Sequence, residues 1–122
     1  MSKKLKKSAN IDDASVKTQD LLLVVTTIKD NKAAKSLAHL IISNRLAACC
    51  NIIPKITSIY EWNNELYDDD ECLMVLKTTK NRYLGLEAFI QEKHPYEVPE
   101  IIALSSDHCR QEYLSWVLKQ TK

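Results

Sequence analysis

The densest group of reactive side chains lies in the seven residues His94-Pro95-Tyr96-Glu97-Val98-Pro99-Glu100. An imidazole, a phenol and two carboxylates this close in sequence can hold a cation or a small polar ligand. Pro95 and Pro99 restrict the backbone, so such a loop arrives preorganised. His94, Glu97 and Glu100 are therefore candidate metal ligands, with copper or zinc as the candidate ions. The same residues also suit a bland role, as an interface loop with hydrogen-bonding duties. For His94 alone the bland role is that of a helix C-terminal histidine whose charged form suits the helix dipole.

Other constellations are weaker. Asp107-His108-Cys109 offers three ligand types in a row, but three consecutive residues rarely wrap one ion. Cys49 would need a base and a depressed pKa to act as a nucleophile, and His94 is the available base; a buried strand cysteine is the simpler role. Asp68-Asp69-Asp70-Glu71 could collect hard cations, yet strand alternation splits these carboxylates between two faces, which favours a solvated arm that resists aggregation. Lys77 reads as an ion-pair partner. Tyr60, Trp62, Lys77, Tyr96 and Trp116 are the side chains expected to line a ligand or interface cleft.

Composition narrows the function classes. The 122 residues fit one domain, which at this size buries roughly two-thirds of its unfolded surface. Lys and Arg number 17 against 16 Asp and Glu, so there is no basic footprint for nucleic acid and none for anionic lipid. A single glycine, Gly85, excludes GxGxxG and Walker loops. Four cysteines form no CxxC pair, which excludes the usual zinc-finger spacing. The longest apolar runs, such as Leu21–Val25 and Cys72–Leu76, fall far short of the roughly 20 residues of a membrane span. Residues 1–18 begin basic without a following apolar region. They are expected to form a flexible tail ahead of a domain at 19–122, in a cytoplasmic protein with free thiols.

The elements that must position these residues follow from periodicity. Leu21–Thr27 reads as a strand. Asp30 or Asn31 caps a helix carrying Ala34, Leu37, Ala38 and Ile41 at helical spacing. Ala47–Trp62 is a long strand with a bulge, bend or edge position at Pro54. Asn63-Asn64 makes a tight turn into the partner strand Glu65–Thr79. A helix over 80–93 stops at Pro95, a short strand covers Ile101–Ser105, and a last helix spans Arg110–Lys119. This order is the split βαβ pattern of an α+β, ferredoxin-like βαββαβ sandwich with a long β2-β3 hairpin and a C-terminal helix.

Two features predict self-association. Leu21–Val25 and Cys72–Leu76 are apolar at consecutive positions, so both sheet faces want burial, while the crossover helices cover only one. The hairpin arms, about 15 residues each, far exceed an ordinary strand of roughly five or six.

Five blocks then carry a family resemblance: RLAACCN (45–51), SIYEWNNEL (58–66), ECLMVLKTT (71–79), HPYEVPEI (94–101) and YLSWV (113–117). In this order and spacing they resemble the CutA divalent-cation tolerance family over about residues 20–119. The resemblance implies a tight homotrimer with PII-like architecture, a role in divalent-metal and above all copper tolerance, no obligatory cofactor and no enzymatic activity. A PII-like scaffold that takes a metabolite or partner protein in its intersubunit cleft is the alternative. The resemblance also implies a copper site built from a Cys and two His. Here Thr26 and Lys93 occupy two of those positions and only His94 remains. A hydroxyl is a poor copper ligand and an ammonium none, so that site is expected to be absent. Two gentler departures are Asn64 and Cys109, each where relatives carry Gly.

Overall fold

A computed structural model describes residues 20–122; the expected tail at 1–18 lies outside the described residues. The elements run β1 (Leu21–Ile28), α1 (Asn31–Ser43), β2 (Cys49–Trp62), β3 (Glu65–Thr79), α2 (Lys80–Lys93), β4 (Ile102–Ser105) and α3 (Gln111–Gln120). They form a four-stranded antiparallel sheet in the order β2-β3-β1-β4. The α+β, ferredoxin-like architecture expected from the order of elements is present.

Local chemistry explains the boundaries. Asp30 caps α1, its carboxylate accepting the Ala33 N–H at 2.8 Å. Arg45 ends that helix in the left-handed region, φ 58°, and the Leu46 N–H returns to the Ile41 carbonyl. At the hairpin tip Asn63 and Asn64 both take positive φ, 51° and 66°, as a two-residue turn matched to strand twist demands. The Pro54 irregularity appears as a register shift between Ile53 and Ile56, with Lys55 at φ 58° on the edge strand.

The sheet's two faces differ. Leu22, Val24, Ile28, Met74 and Leu76 are buried with Leu37, Ile41, Leu86 and Ile90 in one core beneath α1 and α2. The opposite face carries Leu23, Val25 and Val75, with Ile102 and Leu104 half exposed at 50% and 51% on β4. α3 covers only one end of it, where Leu114 and Val117 pack on Leu21 and Ala48.

Residues 72–79 of β3 pair with β1, whereas Glu65–Glu71 pair with β2 alone. At about 3.3 Å per residue, this seven-residue ribbon overhangs the sheet by roughly 23 Å. The loop between α2 and β4 turns back beneath that overhang, which sets the site.

Candidate functional site

The overhanging ribbon forms one wall of a cleft of about 810 Å³, and the loop of residues 94–101 forms the other. After the shift at Pro54 the register places Ser58 opposite Asp69 and Tyr60 opposite Tyr67. Alternation then puts Tyr60, Trp62, Asp69 and Glu71 on the same ribbon face. Tyr60 and Tyr67 stack at 5.4 Å between ring centroids, and the Tyr60 hydroxyl donates to Asp69 Oδ2 at 2.5 Å. That bond pushes the Tyr60 phenol up to about 12. Across the cleft Tyr96 donates to Glu71 Oε2, also at 2.5 Å. Burial and this bond together raise the Tyr96 phenol far above its usual range. Short phenol-to-carboxylate bonds of this kind are charge-assisted. They hold both acids in fixed orientation.

Glu97 and Glu100 complete the loop wall, and Thr27 and Lys29 close the end of β1. The ionisable lining is thus five carboxylates (Asp69, Asp70, Glu71, Glu97 and Glu100) against one lysine. The Asp68–Glu71 run is therefore no simple solvated arm: Glu71 is only 8% exposed and two of its acids are hooked by phenols.

His94 is not a free ligand. Its Nδ1 accepts the Tyr96 backbone N–H at 3.1 Å, which leaves the ring proton on Nε2, and that nitrogen meets the Thr27 carbonyl at 2.8 Å. Both nitrogens are spent on pinning the loop to the end of β1. Burial lowers the His94 pKa, opposed by the Thr27 carbonyl and the Glu71 charge. Among the described residues no group of three or more His, Cys, Asp or Glu is placed to chelate a metal. His94, Glu97 and Glu100 consequently do not form a compact ligand set within one chain.

Of the side chains expected in the cleft, Tyr60, Trp62 and Tyr96 are there. Lys77 and Trp116 are elsewhere. Lys77 lies six residues along β3 from Glu71, about 20 Å away at strand spacing, and pairs with Leu23 and Cys49. Trp116 packs against Tyr113 on α3, ring centroids 5.7 Å apart. Thr27, Lys29 and Ser58 join the cleft without having been anticipated; only the bulge register at Pro54 could have pointed to Ser58.

The thiol chemistry does not assemble. Cys49 sits level with Lys77 and Leu23, while His94 bonds at Thr27, four residues further along β1. The separation is about 13 Å along the strand alone. Cys50, on the core side, is pushed up to about 12 by burial and by Cys49. The Cys109 thiol is also raised by burial and donates to the Arg110 carbonyl at 3.5 Å. Thr26 is fully buried on the helix-covered face, with its hydroxyl unpartnered, and so cannot serve the cleft.

Comparison with known proteins agrees with the fold. Residues 22–120 match the family described as CutA1 divalent ion tolerance protein. The chain belongs to the CutA1 family. Protein CutA of Homo sapiens is 44% identical over 96 residues, covering 79% of this chain and 54% of the human protein. The divalent-cation tolerance protein CutA of Thermus thermophilus is 39% identical, covering 81% of this chain and 96% of its own length. The chain thus spans about half the length of the mouse and human CutA proteins and nearly all of the Thermus one. Among solved structures, CutA1 from Oryza sativa superposes with a TM-score of 0.82 at 37% identity, over 86% of this chain and 96% of that one. The Thermus thermophilus CutA1 structure gives 0.80 at 38% identity, over 84% and 99%. No described helix is long and apolar enough to cross a membrane.

Proposed function

We propose that this CutA1-family chain serves divalent-cation tolerance as a homotrimer that collects cations in the acidic cleft. The excess of five carboxylates over one lysine in the cleft carries this reading. Such walls create a negative potential that concentrates cations without a dedicated cage. Glu97 and Glu100, with Asp69 and Glu71 opposite, are the groups that would hold the ion. Oxygen ligands of this kind suit hydrated, hard or borderline ions; tight copper binding asks for imidazole or thiolate. His94 acts as the pin that holds Glu97 and Glu100 in place.

The half-exposed apolar face and the unsupported ribbon favour assembly, since a lone chain leaves both wet. The reading is non-enzymatic, and it places the protein in the cytoplasm, which localisation of the tagged full chain would check. Calorimetry with magnesium, zinc and copper salts tests the cation reading. Heat that disappears in Glu97→Gln/Glu100→Gln supports it. No heat with any of the three removes it.

A further inference from the structure

We draw no further inference here: the strongest candidate, the exposed apolar surface of the helix layer at Leu40 and Ile42 of α1 and Leu84 of α2, carries none because nothing in the structure shows what covers it.

Discussion

His94 and Thr26 show how burial decides what a side chain can do. His94 is only 7% exposed, and its neutral form satisfies both hydrogen bonds. Its pKa is lowered from the ordinary 6.5, mainly by burial. Below that ordinary value the unfolded chain takes up a proton that the folded chain resists, so this contribution to stability is present above it and lost as pH falls. Melting temperature should therefore drop between about pH 7.5 and about pH 5.5, above the range where most carboxylates titrate, and drop less in His94→Gln. A variant with the parent's full pH dependence would show that the proton goes elsewhere. Thr26 presents the opposite case: a buried hydroxyl with no partner. Exchanging it for a methyl in Thr26→Val removes the desolvation penalty and should stabilise the chain by about 1 kcal/mol in denaturant titrations.

At the scale of elements, the ribbon and the loop make the site together, and the turn sets the ribbon's register. Asn63 and Asn64 both sit in the left-handed region, which Asn tolerates and Gly enters freely. Asn64→Gly should stabilise the hairpin by about 0.5 to 1 kcal/mol, read as a shift in denaturation midpoint at unchanged slope. An unchanged or lowered midpoint would mean that the Asn64 side chain makes a contact worth more than the backbone strain it relieves. The elements were largely legible beforehand because each carried its own signal: the consecutive apolar runs in β1 and β3, the Asp30 cap, and Pro95 after α2. β4 was legible only as a short apolar run, and its exposure on both faces reflects an edge position that no local pattern encodes.

For the whole molecule, the covered and uncovered faces of the sheet govern behaviour. Leu104 is half exposed on the uncovered face, so Leu104→Glu costs a lone chain little. If that face is buried between copies, the same change places a charge in an apolar interface and should convert the trimer to smaller species. Sedimentation that shows the parent's mass in Leu104→Glu would take this face out of the interface. A parent that sediments as a monomer at low concentration would remove the homotrimer altogether.

By itself the sequence determined the order and type of the elements, the long hairpin, the two-sided apolar character of the sheet, and the CutA resemblance. The first three follow from short-range periodicity, caps and turn residues, which act over a few neighbours along the chain, and the resemblance rests on the five ordered blocks. Only the tertiary structure decided which candidate groups meet. Thr27 lies 67 residues from His94 and Glu71 lies 25 from Tyr96, and neither hydrogen bond leaves a mark in local pattern. Strand register put Lys77 and Cys49 at the far end of the sheet from the acids, because each residue of offset along a strand moves a side chain by about 3.3 Å and a single step turns it to the other face.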